Sequence, residues 1–284
     1  MLGDFEYVRA RSISEAVRLL TEADGTAAVF SGGTDLLVEI RNGLRRPKLL
    51  VDVKRIEELA RLETPAGEAT TIGGAVPLNR IVEDRAIRDR IPGLAEAAFS
   101  IATYQLRNRA TIGGNLCNAS PAADGIPPLL AVDASLHVVG PDGERDVPLR
   151  GFCVGVKRTC LKRAEIVTEI RIPPLAPGTR TAFVKQQRIR GHDLAVANLA
   201  GALSPSDSSL RVAIGSCAPV PILLDPIETS GHTIEAIAAE AACAAANAIS
   251  PISDVRASAE YRRAVVPVLA RRLVTRLMDG SGGA

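Results

Sequence analysis

The sequence has no tryptophan, and aromatic residues make up only 3% of its 284 positions. Platforms for stacking bases or sugars are therefore scarce. Net charge is only +2, too little to draw nucleic acid or an anionic membrane surface. No apolar run approaches the ~18 residues of a membrane span. The opening residues, Met1-Leu2-Gly3-Asp4-Phe5-Glu6, lack the basic and apolar segments of a signal peptide. Cys117, Cys153, Cys160, Cys217 and Cys243 are odd in number and widely spaced, which argues against a disulfide framework. No Cys-x-x-Cys pair is present to hold an iron–sulfur cluster or a structural zinc. The cysteines read as small buried hydrophobes in a reducing cytoplasm. His137, His192 and His232 are scattered, with no metal-ligand spacing, and read as surface or loop residues. Also missing are a Gly-x-Gly-x-x-Gly run, a Walker A lysine and a Gly-x-Ser-x-Gly elbow. Those absences close the Rossmann, P-loop and α/β-hydrolase routes.

What is present is a core. Hydrophobic residues make up 46% of the chain, and its length suits two domains of ~100–200 residues each. Strand-like runs at residues 5–9, 27–30 and 49–53 alternate with helical spacing, so residues 1–56 read as a small α/β unit. Ser12 and Glu15 form a capping-box pattern for the first helix. Residues 57–63 read as a short helix. Residues 77–83, 93–102 and 127–132 read as further helices, and Pro141-Asp142-Gly143 as a hairpin turn. A strand at 165–172 ends at Pro173-Pro174, and the proline-rich stretch to Gly178 marks a domain boundary. Beyond it lie antiparallel strands at 181–185, 195–203 and 210–215, then helices at 233–249 and 258–278. The tail Gly280-Ser281-Gly282-Gly283-Ala284 reads as disordered.

The most informative run is Thr111-Ile112-Gly113-Gly114-Asn115, followed by Ser120-Pro121-Ala122-Ala123-Asp124. A double glycine permits positive φ and a close neighbour. Successive backbone N–H groups in such a turn can meet on an anion, with Thr111 and Asn115 adding side-chain donors. Asp124 repels phosphate and suits hydroxyls. Upstream, Ser31-Gly32-Gly33-Thr34-Asp35-Leu36 follows a buried strand and opens a short helix, a further anion-binding pattern. Two such loops suit a pyrophosphate held from two sides; they also read as ordinary tight turns. Thr71-Ile72-Gly73-Gly74 echoes the 111–114 run forty residues earlier and reads as a structural turn. Lys185 ends a strand in a basic run. Such runs are mostly solvated faces, though this one could set a charge beside an electron-rich ring. General acids, nucleophiles and metal ligands are not evident, so the chain would borrow its chemistry from a bound cofactor.

The paired loops, with Lys185-Gln186, Asp193-Leu194-Ala195 and Gly215-Ser216-Cys217-Ala218-Pro219, carry a resemblance. The chain resembles the FAD-binding medium subunit of molybdenum hydroxylases, the family of carbon monoxide and xanthine dehydrogenases. The resemblance implies an α+β fold. A two-subdomain FAD domain of the vanillyl-alcohol-oxidase (PCMH) type would span 1–175, divided near residue 56. A C-terminal antiparallel sheet with helices would span 176–284. It implies that Val29, Phe30, Ser31, Gly32, Gly33, Thr34, Asp35 and Leu36, with Thr111, Ile112, Gly113, Gly114 and Asn115, hold the FAD pyrophosphate and its neighbours. Asp124 would bind a FAD hydroxyl. Ile101 would be a ligand contact, and Val167 and Lys185 would lie near the flavin ring. Gly33 departs from the Asn that xanthine dehydrogenases often carry there. No four-cysteine insertion is present, so the subunit would carry flavin without a cluster.

The resemblance further implies an electron-transfer subunit. A molybdopterin-containing large partner oxidises the substrate. An iron–sulfur small partner passes electrons to FAD here, and an external acceptor receives them. A self-sufficient FAD-dependent oxidase or reductase on the same fold is the rival reading. It needs a proton donor over the flavin that the sequence does not supply. A scaffold that has lost its cofactor is the third.

Overall fold

The computed structural model describes residues 4–189 and 191–279. The tail at 280–284, expected to be disordered, lies outside the described residues.

The first layer is β1 (Glu6–Arg9), α1 (Ile13–Glu22), β2 (Ala27–Phe30), α2 (Leu36–Arg41) and β3 (Leu49–Asp52). Its three strands run parallel in the order β1-β3-β2, with Glu6 opposite Leu49 and Phe30 opposite Asp52. Ser12 caps α1, its Oγ accepting the Glu15 N–H at 3.1 Å. The Glu15 carboxylate accepts from the Arg11 N–H at 2.7 Å, one residue earlier than a standard capping box. The apolar face of α1, with Ala16, Val17 and Leu20, packs on Val51, Ile56 and Leu59. In a parallel sheet the turns at the carboxyl ends of the strands are where ligands bind. The Ser31-Gly32-Gly33 turn follows the carboxyl end of β2.

The helix expected over 57–63 is instead a single 3₁₀ turn, Glu58–Ala60, leading into β4 (Leu62–Glu63). A helix that short is marginal by itself, and pairing of Leu62 with Ile72 takes the segment into a sheet. That sheet continues with β5 (Thr70–Gly73). Helices α3 (Leu78–Glu83), α4 (Arg85–Arg90), α5 (Pro92–Ser100), α6 (Tyr104–Arg107), α7 (Ile112–Cys117) and α8 (Ile126–Ala131) follow. The chain then returns as β6 (Ser135–Gly140), β7 (Gly143–Pro148), the small pair β8 (Cys153–Gly155) and β9 (Arg158–Thr159), and β10 (Ile166–Ile172). The antiparallel order is β4-β5-β10-β6-β7. The helices bury Leu78, Ile81, Leu94, Ile112 and Leu129 against Ile72, Leu136 and Ile170 of this sheet.

The third layer holds β11 (Arg180–Gln186), β12 (Ala197–Ser204), β13 (Ser209–Gly215), β14 (Ile222–Leu223) and β15 (Ile227–Glu228). Its antiparallel order is β11-β12-β13-β14, with β15 also pairing with β13. α9 (Ile234–Ala248), capped by Thr233, and α10 (Ala259–Met278), capped by Ser258, cover one face. The closeness depends on small residues: a Cβ on Gly201 would lie 2.7 Å from Leu277 Cδ1. The other face meets α5, where Ala97 packs with Phe183 and Ala200. Glu96 ties the layers together, accepting the Phe183 N–H at 3.0 Å and pairing with Arg276.

Candidate functional site

The turn after β2 is shaped by its neighbours. Gly33 has φ +72, and a Cβ there would stand 2.4 Å from Cε2 of the Phe30 ring. At Gly32 a Cβ would stand 2.5 Å from the Arg109 carbonyl oxygen. Ser31 Oγ lies 3.2 Å from Thr111 Oγ1, across 80 positions of sequence. The two expected loops therefore touch. Among the described residues, no group accepts a hydrogen bond from the backbone N–H groups of residues 32–36; Leu37 is the first to bond, to the Gly33 carbonyl at 3.1 Å. Asp35 caps α2 by position only, with no side-chain bond. Backbone donors in proteins nearly always find partners, so a half-buried run of free ones is suited to an anion.

The 111–115 run differs from the tight bend its sequence suggests. It is the first turn of α7, and neither Gly113 nor Gly114 has positive φ. The N–H groups of residues 112–115 are all engaged. The Ile112 N–H bonds the Val76 carbonyl and the Gly113 N–H the Gly74 carbonyl, both at 3.1 Å. The Gly114 N–H donates to Thr111 Oγ1 at 3.1 Å, and the Asn115 N–H to the Thr111 carbonyl at 2.9 Å. The glycine at 113 serves close approach: a Cβ would meet the Gly74 carbonyl oxygen at 2.4 Å. Gly74 presses in turn on the Val167 carbonyl oxygen, which its own Cβ would meet at 2.4 Å. The repeated Thr-Ile-Gly-Gly is thus two glycine pairs that interlock, seating α7 against β5 and β10. Asn115 turns inward, its Oδ1 accepting the Gly125 N–H at 3.2 Å.

Beyond α7 the chain delivers Asp124, buried at 4% exposure. Its Oδ2 is 2.7 Å from Lys185 Nζ and accepts from Ser100 Oγ at 3.2 Å, while Oδ1 accepts from Asn198 Nδ2 at 2.5 Å. Burial pushes the Asp124 carboxyl up, against the pull of Lys185, Asn198 and Ser100. Lys185 also donates to the Ser100 carbonyl at 3.3 Å, next to Ile101. The expected residues therefore form one strip. Ser31 and Gly32 meet Thr111 and Arg109, Gly113 meets Val167 through Gly74, and Asp124 meets Lys185 beside Ile101.

Several members of the strip escape a reading by motif. Asn198 is a lone amide in an otherwise apolar strand, fully buried, and that contrast was its signal. Arg107 is buried and donates to the carbonyls of Phe99, Ile101 and Ala102 at 2.9, 3.1 and 2.8 Å, pinning the segment that bears Ile101. Gly74 is marked by the Thr-Ile-Gly-Gly echo, though the echo does not show which backbone it meets. Lys54, just past β3, has no such signal, because its Nζ donates to the Asn108 and Arg109 carbonyls far away in sequence. His137 stands outside the strip, its Nδ1 and Nε2 each 2.8 Å from a carboxylate, of Asp146 and Glu144.

Residues 3–175 match the family described as the FAD binding domain in molybdopterin dehydrogenase. The chain belongs to that family. Residues 182–277 match the CO dehydrogenase flavoprotein C-terminal domain. The chain is 35% identical to the carbon monoxide dehydrogenase medium chain of Hydrogenophaga pseudoflava, over 94% of this chain and 95% of that one. It is 30% identical to the xanthine dehydrogenase FAD-binding subunit of Escherichia coli O157:H7, over 98% and 97%. In three dimensions it superimposes on a chain of carbon monoxide dehydrogenase from Hydrogenophaga pseudoflava with a TM-score of 0.93 and 31% identity, covering 98% of this chain and 99% of that one. The cofactor of the family's domain is FAD, and the fold is the expected α+β FAD domain followed by an antiparallel sheet with helices.

Proposed function

We propose that this chain is the FAD-binding electron-transfer subunit of a molybdenum hydroxylase complex. It stands between an iron–sulfur small subunit and an external acceptor, with a molybdopterin-containing large subunit as the site of substrate oxidation. The observation that carries the reading is the run of free N–H groups at 32–36, held beside Thr111 by Ser31. Such a run can take a pyrophosphate through backbone alone, and Gly32 and Gly33 let it sit tight against Arg109 and Phe30. Residues 29–36 would hold that group, with Thr111 and Asn115 at its flank. Asp124 keeps acceptor capacity beyond its present three bonds and suits a hydroxyl of the same ligand. Ile101 would contact the ligand, Val167 would lie near the ring, and Lys185 would set a positive charge beside it. FAD, when bound, supplies a carrier that exchanges electrons singly or in pairs.

We assign the FAD domain to residues 1–175, with subdomains meeting near residue 56, and the C-terminal domain to 176–284. No helix among the described residues is long and apolar enough to cross a membrane. All five cysteines are free, which suits the cytoplasm we assign. The test is affinity purification of the chain from its own host. One companion with iron–sulfur absorbance and one carrying molybdopterin should come with it, and the isolated chain should hold FAD without oxidising substrate. Turnover by the isolated chain would overturn the reading in favour of a self-sufficient flavoenzyme.

A further inference from the structure

Lys54 lies just past β3, outside every motif discussed above. Its Nζ donates to the Arg109 carbonyl at 2.6 Å and to the Asn108 carbonyl at 3.2 Å. That Arg109 oxygen is the atom Gly32 is packed against, where a Cβ would stand 2.5 Å away. Lys54 is itself anchored: its N–H donates to Asp52 Oδ1 at 2.9 Å, and Asp52 also takes the Tyr7 hydroxyl. The Arg109 and Ala110 N–H groups bond back to Leu106, which leaves the Arg109 carbonyl to face the first layer. The remaining tie between the loops is the Ser31–Thr111 hydroxyl contact.

We propose that Lys54 is a positioning residue for the cofactor: its ammonium clamps the Arg109 carbonyl against Gly32 and so holds the 32–36 turn in its anion-binding form. The inference rests on the FAD reading above and names a group that acts through backbone rather than touching the ligand. The charged groups around Lys54 are Asp52 on β3, which also carries the Tyr7 contact from β1, and Arg109 across the junction. Burial, with Arg109 nearby, pushes the Lys54 amine down to about 8, while Asp52 opposes the shift. The clamp is a charge-assisted bond only while the amine is protonated, so it weakens as pH rises through that value.

The experiment is FAD titration of the full chain, followed by flavin fluorescence, for wild type, Lys54→Met, Lys54→Arg and Gly32→Val. At pH about 7, Lys54→Met should bind FAD about tenfold more weakly, the scale of one lost charge-assisted hydrogen bond, and Lys54→Arg should stay within about twofold. Wild-type affinity should fall between pH about 7 and about 9, whereas both Lys54 variants should give flat profiles. Wild-type affinity for FAD in Lys54→Met, with binding lost in Gly32→Val, overturns the clamp and leaves the FAD site standing. FAD binding unchanged in both removes the 32–36 turn from the site and the clamp with it, whereas a wild-type chain that binds no FAD overturns the FAD reading. If Lys54→Met does not fold, a flat wild-type profile over that pH range overturns the clamp.

Discussion

The two glycine-bearing loops look alike in sequence and do opposite things. The loop at 31–36 leaves the N–H groups of residues 32–36 without partners among the described residues, while the second loop spends those of residues 112–115 on Val76, Gly74 and Thr111. In the first, Gly33 is needed for its φ of +72, and Gly32 for its approach to Arg109. In the second, Gly113 lets one helix settle onto another glycine's backbone. In the reading proposed above, one loop receives the anion and the other is the wall it leans on. A glycine pair is therefore ambiguous evidence: the same residues serve an open turn or a close-packed helix start.

The contrast can be broken most directly at Gly32. Gly32→Val drives a branched side chain into a backbone carbonyl that cannot swing away, parting the loops. FAD binding should fall by more than about a hundredfold, roughly the effect of losing two or more charge-assisted hydrogen bonds. Flavin absorbance of the purified variant measures it, and wild-type flavin content would remove this loop from the site.

The next effect lies at the far end of the strip. Lys185→Met strands the buried Asp124 without its cation, at a cost of about 3 kcal/mol near neutrality. Without Lys185 the Asp124 carboxyl, already pushed up by burial, rises further. A carboxyl whose folded value exceeds its unfolded value favours the fold at low pH and loses that advantage as pH rises. The deficit should therefore shrink as pH falls from about 7 to about 5. Urea unfolding at the two pH values tests this; a deficit that grows on acidification contradicts the assignment.

Gly113→Ala probes the closed loop. Its methyl meets the Gly74 carbonyl, and overpacking of this kind costs about 2 kcal/mol. The melting temperature should drop by several degrees, about 2–4 °C per kcal/mol, with a smaller change in FAD affinity than in Gly32→Val. The reverse ordering would mean that the second loop, not the first, meets the ligand. Thr111→Val should do least. It removes the cap on Gly114 and the contact to Ser31, for about 1 kcal/mol of stability by calorimetry.

Much of the architecture was legible from residue order. β2 and β10, the Ser12 cap and the Pro141-Asp142 hairpin follow from apolar runs, capping chemistry and turn residues, each a local property. The segment at 57–63 was not, because its fate depended on whether Ile72 offered an edge to Leu62. The members of the proposed site were singled out by the paired glycine runs and Asp124, and the fold brings these into one strip. The partners that hold them were less so. Lys54, Gly74 and Asn198 act on residues 55, 39 and 74 positions away; local patterns single out Gly74 and Asn198, but no local pattern names the partner of any of the three.

By itself, then, the order of residues determined where strands, helices and bends form and which stretches carry glycines free of side chains. Only the packed fold decided which of those bends kept its N–H groups free and which gave them to a neighbour. A donor is available or spent according to what lies within about 3 Å of it, and that neighbour comes from a distant part of the chain.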